Sequence, residues 1–74
     1  MIIFTHHSLI KLQQRNIKKS AVVETLKNPN HIIKTYENRI VIFKKFGKLY
    51  LKVVFRKENK NTIVITQHWT SKLI

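Results

Sequence analysis

Seventy-four residues allow one domain with a small core, and the absence of cysteine rules out a disulfide or a thiolate metal site to staple it. Fifteen Lys and Arg face only Glu24, Glu37 and Glu58, with no Asp, for a net charge of +12 spread from Lys11 to Lys72. So lopsided a surface repels itself and draws anions inward, which points to a polyanion partner, RNA foremost.

The chain opens on Met1-Ile2-Ile3-Phe4, a candidate for a short strand. It carries neither a basic n-region nor an apolar stretch of leader length, and no apolar run, Ile40–Phe43 included, exceeds four residues. A membrane span needs ~20 apolar residues, so no membrane segment is expected and a cytoplasmic location is. Thr5 is placed to cap a helix over about His6–Arg15, with Leu9 and Leu12 inward and Asn16 at a left-handed C-terminal position. A second helix over about Lys19–Lys27 puts Val22, Val23 and Leu26 at helical spacing, with Ile17 and Val22 as a hydrophobic staple around Lys18. Asn28-Pro29-Asn30 stops it.

Four strands follow, over His31–Tyr36, Arg39–Phe46, Leu49–Lys57 and Thr62–Trp69. Two-residue links, Glu37-Asn38 and Gly47-Lys48, join the first three, and Gly47 at the first loop position suits a type II′ turn. That turn sets Phe46 against Leu49, Ile42 against Val53 and Ile40 against Phe55. With Leu51, Ile63 and Ile65 these form an apolar face for both helices to cover. The expected fold is therefore α+β: two N-terminal helices on one face of a four-stranded antiparallel meander, with or without a short N-terminal strand.

The opposite face, left open, carries Arg39, Val41, Phe43, Lys45, Tyr50, Lys52, Val54, Arg56, Thr62, Val64, Thr66 and His68. A three-residue turn, Glu58-Asn59-Lys60, would pair Lys52 with Thr66 and Tyr50 with His68. Lys45, Tyr50, Lys52 and His68 then make one patch, since directly opposed Cβ atoms lie ~5 Å apart. Arg39 and Arg56 share the face some ~13 Å off, at 3.3 Å per residue, as phosphate contacts. His68 is the only histidine expected there, His31 falling on the helix side.

Three scattered glutamates cannot hold the paired ions of a two-metal nuclease, and one glycine cannot make a phosphate loop. Adjacent His6 and His7 point ~100° apart on a helix and make no metal pair. No metal and no cofactor is expected. The residues that remain, His, Lys, Arg, Tyr and Thr, suit metal-free RNA cleavage. A histidine moves the 2′-OH or leaving-group proton, cations hold the phosphate, and aromatic rings stack on unpaired bases. His68 is the candidate acid or base, Tyr50 the second proton carrier or stacking ring, and Lys45, Lys52 and Arg56 the phosphate contacts, with Phe43 interleaved among them. A second cluster stands at i, i+4 and i+8 on the first helix: His7, Lys11 and Arg15.

The stretch from Thr5 to Ile17, Asn28-Pro29 and the closing Thr66-Gln67-His68-Trp69 resemble the signature of a family of small uncharacterised domains, over nearly the whole chain. That family is similar to the BrnT and RelE/ParE-like toxins of toxin–antitoxin modules. The resemblance places the family histidine on His7 and its second arginine on Arg15. Lys11 stands for the first arginine, keeping charge but losing the bidentate fork, and Asn16 stands for a glycine. His68 falls where ribonuclease toxins of the superfamily place a His or Tyr. The resemblance implies a toxin-type endoribonuclease acting on RNA, with mRNA and the ribosome as candidate targets, and an acidic antitoxin partner. The alternatives are a non-enzymatic nucleic-acid-binding module and, as in the ParE-like branch, an inhibitor of a protein target.

Overall fold

The computed structural model describes residues 1–35 and 37–73. Its elements are β1 (Ile2–Phe4), α1 (His6–Gln14), α2 (Lys19–Lys27), β2 (His31–Lys34), β3 (Ile40–Phe46), β4 (Leu49–Glu58) and β5 (Asn61–Thr70). The fold is α+β, but the four-stranded antiparallel meander is corrected. The sheet has five strands in the order β1-β5-β4-β3-β2, and β1 runs parallel to β5. The last strand of a meander leaves one side unpaired, and the apolar Ile2-Ile3-Phe4 fills it. The Thr62 amide donates to the Met1 carbonyl at 2.8 Å and the Thr5 amide to the Val64 carbonyl at 3.1 Å. No helix among the described residues is long and apolar enough to cross a membrane.

Both helices follow local chemistry. Thr5 caps α1, its hydroxyl accepting from the Ser8 amide at 3.1 Å. Asn16, at φ 54°, turns the chain out of the helix. Ile17 and Val22 are buried on either side of the α2 start, where Lys18 occupies the cap position without a side-chain bond. Leu9 departs from expectation: it is 39% exposed, and Ser8 and Leu12 are the buried residues of α1. The helix leans against the edge of β5, and that turns Ser8 inward.

The β3–β4 register is the expected one, with Phe46 opposite Leu49 and Gly47 at φ 65°. The flanking registers differ. Glu58 pairs with Asn61, so the β4–β5 loop is the two residues Asn59 and Lys60. A register shift between Val54 and Phe55 then leaves Ile65 as an extra, bulged residue. Below the bulge Val64 opposes Phe55 and enters the core, while Ile63 lies on the Arg56 side. Above it Thr66 opposes Val54, and the expected faces return, shifted by two residues along β5.

On the other side, Thr35 donates to the Arg39 carbonyl at 3.0 Å and His31 pairs with Phe43. A two-residue Glu37-Asn38 link would have placed His31 opposite Lys44. The one-residue slip moves His31 to the face without helices. The expected end of this strand, Tyr36, lies outside the described residues. The main core gathers Leu12, Ile17 and Val22 against Ile42, Leu51, Val53, Phe55 and Val64.

Candidate functional site

One row of residues crosses four strands on the face without helices. His31 of β2 pairs with Phe43 of β3, Phe43 with Lys52 of β4, and Lys52 with His68 of β5. At ~4.8 Å per strand the row spans ~14 Å between its histidines. The next row is Lys45, Tyr50 and Thr70. Tyr50 therefore stands diagonal to His68, with ~7–8 Å between such positions, and not directly opposite as the longer turn implied. Its ring instead meets His31 edge-on, with centroids 6.1 Å apart. Lys45 Nζ lies 5.9 Å from the Tyr50 ring centroid, and Lys52 Nζ lies 5.9 Å from that of Phe43.

Phe43 was expected to offer its ring to a base, but it is 0% exposed. On a sheet face without helices, long neighbouring side chains lie down over an aromatic ring, with Lys52 foremost here. The other rings of this face, the exposed His31 and the half-buried Tyr50 and His68, do reach the surface. His31 is the site residue that sequence reasoning missed.

The two clusters expected on α1 and on the sheet meet through one residue. β1 stops at Phe4, opposite Val64, and leaves the outer edge of β5 beyond it to α1. There Thr5 Oγ1 donates to the Ile65 carbonyl at 3.3 Å. Arg15 Nη1 donates to the Gln67 carbonyl at 2.8 Å and to Thr66 Oγ1 at 3.4 Å. This draws the guanidinium around the edge of the sheet to Thr66, on the His68 side. Its charge, with that of Lys52, is felt by the imidazole. Partial burial first, then Lys52 and Arg15, hold the His68 pKa below the ordinary histidine value of 6.5. At neutral pH His68 is a neutral base between two cations.

The other α1 candidates stay outside this cluster. His7 is exposed and eight residues from Arg15, ~12 Å along a helix. Lys11 Nζ donates to Gln14 Oε1 at 2.9 Å. Arg39 is exposed, and Arg56 pairs with Glu58 at 3.1 Å, partly neutralised for phosphate work. Among the described residues no three His, Cys, Asp or Glu side chains gather where they could hold a metal ion, and the surface holds no cavity. The arrangement is a shallow, basic, partly aromatic face with a histidine at each end of its row. It can bind an extended anion and move a proton at one point along it.

No curated protein and no solved structure matches this chain. Residues 4–66 match the family described as Domain of unknown function (DUF4258), a span that starts at Phe4, takes in both helices and ends at Thr66. The chain belongs to that family.

Proposed function

We infer that this protein is a toxin-type ribonuclease that works without a metal, binding single-stranded RNA across the face without helices. One observation carries the reading: α1, β4 and β5 bring Arg15, Lys52 and His68 together. Arg15 and Lys52 flank a scissile phosphate and stabilise the charge it gains in the transition state. His68, kept neutral, accepts the 2′-OH proton as that oxygen attacks phosphorus; the P–O5′ bond breaks, and the leaving 5′-oxygen takes a proton from water or from the imidazolium just formed, giving a 2′,3′-cyclic phosphate and a 5′-OH. His31 and Tyr50 stack on an unpaired base farther along the row, and Lys45 and Arg39 hold neighbouring phosphates. The row of cationic and aromatic side chains across four strands suits an extended polymer. A cytoplasmic setting, with mRNA free or on the ribosome as the target, follows from this reading, as does an acidic partner that silences the protein.

The position of Tyr50 favours a second reading. It pairs with Thr70, so neither a phenol nor a second imidazole stands directly opposite His68, where Lys52 serves as a phosphate contact. Without one to protonate the leaving 5′-oxygen, the same face binds RNA and releases it uncut.

Incubation of the purified protein with a doubly labelled oligoribonucleotide in excess EDTA separates the two. Cleavage to 2′,3′-cyclic phosphate ends, lost in His68→Ala, supports the ribonuclease. Salt-sensitive binding with intact RNA supports the binding module. If RNA is neither bound nor cut at low salt, both readings fall.

A further inference from the structure

The two ends of the sheet are finished differently. At one end β1 is three residues long, and beyond it Thr5 and Arg15 occupy the Ile65 and Gln67 carbonyls of β5. At the other end β2 is fully exposed along its length: Ile32 is 61% and Ile33 44% exposed. Among the described residues no strand or helix lies beyond it. Thr35 and Arg39 form a hydrogen-bonded pair, so alternation along an antiparallel ladder turns the amides and carbonyls of Ile32 and Lys34 outward. Natural sheets cover or blunt such an edge, because it templates pairing with another chain.

We propose that the β2 edge receives an extended, acidic segment of a partner protein as a sixth strand. Charge chooses the occupant. Lys34 lies on β2, Lys44 and Lys45 on the neighbouring strand and Lys27 at the end of α2, within a chain of net charge +12. A second copy would bring the same charges to the same edge and be repelled, while a strand with acidic residues is attracted. Its backbone pairs with Ile32 and Lys34. Its apolar residues cover Ile32 on the helix side and Ile33 on the other, and its acids meet Lys34 and Lys45. The segment would lie next to His31, at the end of the row that leads to His68. The inference goes beyond the ribonuclease reading and stands without it, since it uses only the edge and the charge.

The probe is an acetylated ten-residue peptide built on the repeat Val-Val-Glu-Glu, which sets both residue types on both faces of a strand, with amide hydrogen exchange of the protein as the readout. Ile32 and Lys34 amides should slow on binding, and a Lys/Val peptide should not bind. N-methylation of every second peptide residue tests strand pairing without altering the protein. One of the two methylation patterns should bind as the parent does. The other should weaken binding by up to about tenfold for each hydrogen bond lost. Ile32→Pro removes an outward donor while keeping the β2–β3 bonds, and should weaken binding by up to about tenfold with the melting temperature little changed. Equal binding of both methylated peptides, or protection confined to other amides, overturns the proposal. So does a free protein that sediments as a dimer and becomes a monomer in Ile32→Pro, which would give the edge to a second copy. RNA cleavage has no bearing on these outcomes, so the two readings fail separately.

Discussion

Ser8 holds the fully buried amide of Gln67 at both of its polar atoms. Its hydroxyl donates to Gln67 Oε1 at 2.6 Å, and its carbonyl accepts from Gln67 Nε2 at 2.9 Å. The pair fixes α1 against β5 two turns before Arg15, and so sets where the guanidinium meets the sheet. Ser8→Ala leaves a buried acceptor without a donor and should cost about 1–3 kcal/mol in urea unfolding. Adding Gln67→Met should recover part of that loss, because removing both polar partners is less costly than orphaning one. A double variant no more stable than Ser8→Ala would show that the Gln67 amide finds another partner.

The legible parts of the fold were those written in local chemistry. Thr5, Asn16 and the Ile17–Val22 staple place the helices, and Gly47 places the β3–β4 register. Both flanking registers were missed because their turns hide non-glycine residues with positive φ: Glu37 at 65°, Asn38 at 60° and Asn59 at 59°. Asparagine hints at such a turn, but glutamate gives no warning. The β4–β5 error is a shift of two residues in the upper half, so His68 keeps its face and changes its partner from Tyr50 to Lys52. The β2 error is a shift of one, so His31 changes face altogether. No local signal shows that Arg15 reaches Thr66, because that contact depends on where β1 ends and α1 docks.

The electrostatics of His68 predict a pH dependence of stability. Its folded pKa lies below 6.5, so the unfolded chain binds the proton more tightly. Stability should therefore rise with pH across the window from the depressed folded value to 6.5, and fall as the solution is acidified through it. His68→Gln should flatten that part of the melting-temperature profile. Inorganic phosphate near Arg15 and Lys52 should favour the imidazolium and raise the pKa, seen as a shift in the imidazole NMR titration. An unshifted titration midpoint would place the imidazole away from both cations.

RNA binding should depend steeply on salt. Each single-strand phosphate neutralised adds about −0.7 to the slope of log K against log salt, so four to six contacts give roughly −3 to −4. Lys52→Ala and Lys45→Ala should each reduce the slope by about one contact. Arg56→Ala should change it least, because Glu58 already pairs with that guanidinium. A slope near zero would remove the polyanion reading.

Substitution of His68 should separate catalysis from binding. Acid–base catalysis by one side chain is typically worth ~10²–10⁴ in rate, and His68→Ala should lose about that much. Affinity, carried by lysines and arginines, should change little. The imidazole is only half-buried, so the variant should remain folded. Arg15→Lys is the sharper companion. It keeps the charge but replaces the planar guanidinium, whose Nη1 donates to both the Gln67 carbonyl and Thr66, with a point charge on a flexible stem. Cleavage should fall while the salt slope holds, because a misplaced cation still binds phosphate but no longer meets the charge developing in the transition state. His7→Ala should be silent in both assays, since His7 lies on α1 away from the row. If His7→Ala abolishes cleavage and His68→Ala leaves it intact, the chemistry belongs to the exposed stripe of α1. If neither variant changes cleavage, His68 is only a partly buried residue on an RNA-binding face.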